Sequence, residues 1–284
     1  MTDQRPVTGT TRLAAVIGSP VSHSRSPVLA NAAFAAAGVD WMLVAFEVAP
    51  GAAGAAVAAA RTLGLGGLMV TMPHKADVIS HLDAVTDRAR ALGAVNSIAW
   101  EGDQLVGDNT DGAGLVASLR QDQGIEVPGL SCVVLGAGGA ARSVVWALAE
   151  AGATEVVVVN RTADRARVAA ELAGPVGRVG TVAEVAEAQL VINATSVGMG
   201  ADPGDIGAVP VPVNLLRSGQ VVVDLVYQPL ETPLLRAATA AGAVAVDGLG
   251  MLVHQAALSI ERWIGEAADV AAMSAAARQG PSGT

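Results

Sequence analysis

The 284-residue sequence predicts an α/β protein of two domains, the second built as a doubly wound parallel sheet. Three observations predict it. Short β-like runs alternate with Ala-rich helical runs through the first third of the chain, a stricter strand–helix series begins near residue 130, and a glycine-rich turn joins the first strand and helix of that series. A chain of this length can bury two well-formed cores.

In order, "LAAVIGSPV" at 13–21 reads as a strand ended by Gly and Pro. "SPVLANAAFAAAG" at 26–38 has Pro at a helix start and Gly at its end. "MLVAFEV" at 42–48 is strand-like, and "PGAAGAAVAAARTLGLG" at 50–66 is a helix leading into a strand, "GLMVTMP", at 67–73. This βα order argues for a mainly parallel sheet covered by helices. "VNSIAWEGDQLVGDN" at 95–109 reads as a hairpin turning at Glu101-Gly102-Asp103.

The second series has strands "SCVVLGAG", "EVVVVNRT", "QLVINATS", "QVVVDLVY" and "AVAVDGLG", with helical runs such as "ARSVVWALAEAG" and "ADRARVAAELAG" between them. That is the pattern of a doubly wound nucleotide-binding domain. The final stretch, 251–277, is a helix or helix pair with no strand after it, able to pack on either domain. The tail from 278 to 284 is expected to fray.

Composition excludes several function classes. Hydrophobic residues make up 52% of the chain and aromatics only 2%, which describes a compact Ala-rich protein and not a disordered one. The net charge of −9, with no basic run, argues against a nucleic-acid surface. No stretch reaches the roughly 18 apolar residues that would cross a bilayer. "MTDQRPVTGTTR" lacks the apolar core of a signal peptide, so no membrane partner and a cytoplasmic location are expected. The single cysteine, Cys132, cannot form an intrachain disulfide and sits in a core-like run. Histidines 23, 74, 81 and 254 have no metal-ligand spacing, so no metal site is expected. A monomer and a homodimer are equally compatible with the sequence.

Gly136-Ala137-Gly138-Gly139-Ala140-Ala141 fits G-x-G-x-x-A between a strand and a helix. Such glycines let the backbone approach a pyrophosphate, whose charge the helix N-terminus favours; the alternative is a tight turn with no ligand. At the end of the next strand an NAD enzyme presents a carboxylate to the ribose. Asn160, Arg161 and Thr162 stand there instead, with Arg165 one turn on. Guanidinium without carboxylate suits a 2′-phosphate, so the cofactor reads as NADP(H), unless both arginines are simply exposed helix-start residues. "NATSVGM" at 193–199 is either a loop on the nicotinamide side or a polar surface turn.

Of 17 basic residues, 16 are arginine and one is lysine, Lys75 in "VTMPHK". An ammonium can give and take a proton where a guanidinium cannot, so Lys75 is a candidate for proton transfer or else a solvated surface lysine. Four polar clusters, "GSPVSHSRSP" (18–27), "VTMPHK" (70–75), "GAVNSI" (93–98) and "GDNTDG" (107–112), each end a strand-like run, where open α/β sheets collect ligands. Together they suit a small, polyhydroxylated, anionic substrate. Singly, each could be a turn or cap.

In this order, with "GAGGAAR", "NRT", "NATSVGM" and "GLGMLVHQAA" behind them, the clusters resemble the shikimate dehydrogenase family from Val16 to Trp263. The resemblance implies reversible reduction of 3-dehydroshikimate to shikimate with NADPH, a step of the shikimate pathway to aromatic amino acids. It also implies an α/β substrate-binding domain at 1–111, completed by 249–284 as the C-terminal helix returns to it, and a Rossmann-like NADP-binding domain at 112–248. By the same resemblance Ser24 and Ser26 bind the substrate carboxylate, Thr71, Asn96 and Gln255 bond ring hydroxyls, and Lys75 and Asp111 flank the reacting C3 oxygen as the catalytic pair. Asp87, Leu225 and Gly248 line the cofactor with the glycine-rich residues, and Tyr227 lies near the substrate. Gln255 read by itself could be a solvated helix residue, Tyr227 a packing residue and Asp87 a helix-start acid. Two positions depart from the family pattern: Met69 stands where Asn is usual, and Ala30-Asn31 where His-Asn is usual. Quinate or aminoshikimate dehydrogenase on the same scaffold is the rival within the class, and a non-catalytic ligand-binding regulator the rival outside it.

Overall fold

A computed structural model describes residues 6–202 and 204–279. The rest of the N-terminal stretch and residues 280–284 of the tail lie outside the described residues. The chain forms two compact units. One runs through Thr110 and resumes at Val253, and the other spans Asp111–Leu252.

The first unit carries β1 (Arg12–Gly18), α1 (Ser26–Ala37), β2 (Trp41–Glu47), α2 (Ala53–Leu63), β3 (Gly67–Val70), β4 (Ala84–Val85), α3 (Asp87–Leu92), β5 (Ser97–Glu101) and β6 (Gln104–Asp108). The sheet order is β2-β1-β3-β5-β6-β4. β1 runs parallel to β2 and β3, as the βα repeat predicts, and the β5–β6 hairpin turns at Gly102. Ala15, Ile17, Leu68, Val70 and Ile98 alternate onto one face and pack with Ala53, Val57 and Ala60 of α2. β3 stops at Val70, three residues short of the expected end, because 71–76 turn back on themselves. β4 and α3 had no periodic signal; two and six residues are too few to show one.

The second unit carries α4 (Asp111–Gln123), β7 (Ser131–Leu135), α5 (Gly139–Glu150), β8 (Glu155–Val159), α6 (Ala163–Glu171), β9 (Gly177–Val179), β10 (Leu190–Asn193), β11 (Val221–Asp224), α7 (Pro233–Ala240) and β12 (Val244–Val246). Its order, β12-β11-β10-β7-β8-β9, is parallel throughout and reverses direction of winding between β7 and β10. All five expected strands are present, and β9 is an added edge strand whose "GRV" carries little strand signal. Cys132, Val134, Val156, Val158, Leu190 and Ile192 face one core, and Val133, Leu135, Val157 and Val191 face the other. Strands buried on both faces read as continuous apolar runs, which is why they were plain in the sequence. The Cys132 thiol is pushed up to about 12 by burial, so it behaves as a small core residue.

The C-terminal stretch is a helix pair, α8 (Leu249–Ile264) and α9 (Val270–Gln279). From Val253 onward it belongs to the first unit. Trp263 Nε1 donates to the carbonyl of Ile98 at 2.9 Å, α9 packs on α1, and Arg25 donates to the carbonyl of Ala277. No helix among the described residues is long and apolar enough to cross a membrane.

Candidate functional site

In the first unit the polar clusters converge at the carboxyl edge of the sheet, because β1 and β3 run parallel and end together. Thr71 N donates to Ile17 O, and Ser19 N donates to Met72 O, both at 2.9 Å, so the "VTMPHK" turn is stitched to the end of β1. Gly18 makes this possible: a Cβ there would stand 2.4 Å from Thr71 Cγ2. On the other side, Val95 N donates to Lys75 O at 2.7 Å. The lysine backbone is therefore fixed to the segment that leads into Asn96.

Asn96 is almost fully buried. Its Nδ2 donates to Thr110 Oγ1 at 3.0 Å and to Gln255 Oε1 at 3.1 Å, while its Oδ1 accepts from Thr110 N at 2.8 Å. Thr110 Oγ1 in turn donates to the Gln255 carbonyl at 2.9 Å. Gln255 lies on α8 and is buried, which disposes of the solvated-helix alternative. Thr110, inside "GDNTDG", is a buried threonine at a strand end and has no sequence signal of its own. Ser24 and Ser26 lie at the N-terminus of α1, where Ser26 N donates to Ser24 Oγ at 3.3 Å.

Asp108 anchors the segment that carries these groups. Arg88 Nε and Thr86 Oγ1 donate to its Oδ1 at 2.7 and 2.6 Å, Arg88 Nη2 closes a second bond on Oδ2, and Asn109 N adds a third donor to Oδ1 at 2.8 Å. Burial pushes the Asp108 carboxyl up, but the bonds from Arg88 and Thr86 and the guanidinium charge outweigh it and hold it below the usual carboxylate range. Asp111 is buried and opens α4 as its first-turn acid, where a helix favours negative charge. The family departures fall in the core. Ala30 is fully buried, Asn31 next to it bonds both Leu43 O and Leu43 N along β2, and Met69 is 3% exposed with Ser97 opposite it on β5.

In the second unit the three ligand-like segments follow β7, β8 and β10, adjacent strands at the point where the winding reverses. Gly136 N donates to Val159 O at 2.8 Å and Ala194 N to Leu135 O at 2.9 Å, which holds their ends together. Gly138 and Gly139 are exposed, with nothing within 4 Å of where a Cβ would stand, and Ala137 and Ala140 flank them. α5 starts there with no acid in its first turn. An open helix start without an acid is where an anion is favoured. Arg161, Thr162 and Arg165 are exposed after β8, neither arginine pairs with an acid among the described residues, and Asn160 Nδ2 donates to Thr162 O at 3.0 Å.

The "NATSVGM" loop is bonded to the strand beside it. Asn193 Nδ2 donates to Asp224 Oδ1 at 2.9 Å, Thr195 Oγ1 donates to Asn193 Oδ1 at 2.7 Å, and Thr232 Oγ1 donates to Asp224 Oδ2 at 2.7 Å. Asp224 is wholly buried and has only neutral donors, so burial raises its carboxyl above the ordinary value. Leu225 N donates to Asn193 O at 2.9 Å, Gly248 lies against the Leu225 carbonyl, and Tyr227 is half-buried in the loop that follows. Asp87 is placed in the first unit, at the start of α3, paired with Arg90 at 2.8 Å.

Comparison with known proteins covers the chain in three parts. Residues 16–98 match the shikimate dehydrogenase substrate binding domain, 119–199 match shikimate / quinate 5-dehydrogenase, and 248–278 match the shikimate 5'-dehydrogenase C-terminal domain. The shikimate dehydrogenase (NADP(+)) of Symbiobacterium thermophilum is 45% identical across 98% of this chain and 97% of its own length. A shikimate 5-dehydrogenase from Thermus thermophilus, solved with NADP(H) and shikimate, is 38% identical with a TM-score of 0.87, covering 95% of this chain and 99% of that one. A quinate dehydrogenase from Corynebacterium glutamicum, solved with NAD, is 29% identical with a TM-score of 0.85, covering 95% and 99%.

Proposed function

The chain belongs to the shikimate dehydrogenase family of NADP(+)-linked oxidoreductases, and on that premise we propose that it catalyses the reversible NADPH-dependent reduction of 3-dehydroshikimate to shikimate, with Lys75 as general acid and base and Asp111 as its partner. The observation that carries the substrate reading is the Asn96–Thr110–Gln255 network. It gathers an amide, a hydroxyl and a second amide beside the segment bonded to the Lys75 backbone, which is the donor and acceptor set a polyhydroxylated ring needs.

NADPH, when bound, supplies the hydride. The chain supplies the rest. Lys75 gives its proton to the C3 oxygen as negative charge develops there, and takes it back in the oxidative direction. Asp111 orients the ammonium and accepts from the substrate hydroxyl. Ser24 and Ser26 hold the carboxylate by their hydroxyls, and Thr71, Asn96 and Gln255 fix the ring. Gly136, Ala137, Gly138, Gly139 and Ala140 receive the pyrophosphate, and Asn160, Arg161, Thr162 and Arg165 receive the 2′-phosphate. Asp87, Leu225 and Gly248 contact the cofactor, and Tyr227 contacts the substrate. The first unit is thus the substrate domain, and the second the cofactor domain.

Quinate is the second reading, since one structural relative acts on it. The free arginine-bearing segment after β8 favours NADP and, with it, shikimate. The test is the formation of reduced nicotinamide from shikimate or quinate with NADP or NAD in all four combinations. Turnover confined to shikimate with NADP is expected; faster turnover of quinate with NAD sinks the assignment.

A further inference from the structure

His74 is wholly buried beside Lys75, while Met72 in the same turn is 74% exposed. Its Nε2 lies 2.7 Å from the carbonyl oxygen of Val48, and its Nδ1 is buried with no hydrogen-bond partner among the described residues. A carbonyl oxygen only accepts, so Nε2 carries the proton and Nδ1 holds an unused lone pair. A buried acceptor left unpaired is unfavourable. An apolar side chain would fill the space without that cost, so the one bond the ring makes is what distinguishes histidine here.

That bond joins two strands that share no ladder. β3 and β2 both pair with β1 but not with each other. Val48, just past the end of β2, donates its N–H to Gly18 O at 3.0 Å, and its own oxygen receives the ring of His74, just past the end of β3. The imidazole therefore braces the "VTMPHK" turn across the end of β1. From the opposite side Val95 N holds Lys75 O. The Lys75 backbone is clamped between the two, so the direction in which its side chain leaves is set by both.

We propose that His74 is a positioning residue for Lys75, acting through the Nε2–Val48 bond and not through proton transfer of its own; this rests on the reading of Lys75 as the proton donor. The test uses the full chain as His74→Leu, His74→Gln and Lys75→Met, with kcat, KM for shikimate, KM for NADP and the thermal unfolding midpoint measured for each. His74→Leu lowers kcat about tenfold or more while KM for NADP holds, as a small misplacement of a catalytic group does. Glutamine places its amide nitrogen near the old Nε2 and recovers most of kcat. If the leucine variant does not fold, His74→Asn, whose shorter amide leaves Val48 O unreached, takes its place. Wild-type kcat in His74→Leu, or glutamine no better than leucine, overturns the proposal. Full turnover in Lys75→Met instead removes the proton-donor reading and the positioning role with it, whereas a dead Lys75→Met beside a normal His74→Leu overturns the positioning role alone.

Discussion

Asn96 and Gln255 lie 159 positions apart in the chain and meet at 3.1 Å, with Thr110 bonded to both. This contact ties the segment before β5 to the returning helix α8, so the side chains proposed to recognise the substrate also close the first unit. Asn96→Ala leaves the Thr110 N–H buried without its acceptor, which costs about 1–3 kcal/mol. Urea unfolding should show that loss, and KM for shikimate should rise while KM for NADP stays unchanged.

Lys75→Arg keeps the charge and removes the transferable proton. kcat should fall about a hundredfold or more, the range of general acid–base catalysis, with only a modest change in KM for shikimate. Steady-state kinetics in both directions measure it. Near-normal turnover would dispose of Lys75 as the acid.

Arg161 and Arg165 are exposed and pair with no acid among the described residues, so their charge is available to a ligand. Arg161→Ala should raise KM for NADP about ten- to hundredfold, the worth of a charge-assisted contact, and leave KM for NAD nearly unchanged. An equal effect on both cofactors would place the arginine elsewhere than at the 2′-phosphate.

What was legible in the sequence follows from how each feature is encoded. Val156, Val157 and Val158 form a run because a parallel strand buried on both faces needs apolar residues at every position, and the glycine-rich turn after β7 is contiguous, so the cofactor unit could be read element by element. The substrate side is assembled from distant pieces. Neither Gln255 on α8 nor Thr110 at the end of β6 is informative until the fold brings Asn96 between them. His74 and Arg88 were invisible for the same reason: a brace to Val48 O or to Asp108 depends on which strands are neighbours, and no local spacing records it. β4 and β9 have two and three residues, below the length at which alternation can be recognised.

Asp108 and Asp224 are both buried, yet their effects on stability have opposite slopes with pH. The Asp108 carboxyl is held low in the folded state, so the unfolded chain binds its proton first as the pH falls. Its contribution is present in full above the ordinary carboxylate value of about 4 and is lost as the pH falls through the lower folded value. Asp224 is raised by burial, so the folded chain binds that proton more readily. Its ionisation works against the fold, and that part of the stability is present at low pH and lost as the pH rises from the ordinary value through the raised one. Asp108→Asn should therefore flatten the loss of stability in acid and lower stability near neutrality, because Arg88 loses its charged partner. Asp224→Asn should remove a decline on the other side of the carboxylate range. Urea unfolding of the wild type and both variants from below the ordinary carboxylate value up to neutrality separates the two. Identical pH slopes in all three would mean that neither buried carboxylate titrates differently in the folded and unfolded chain.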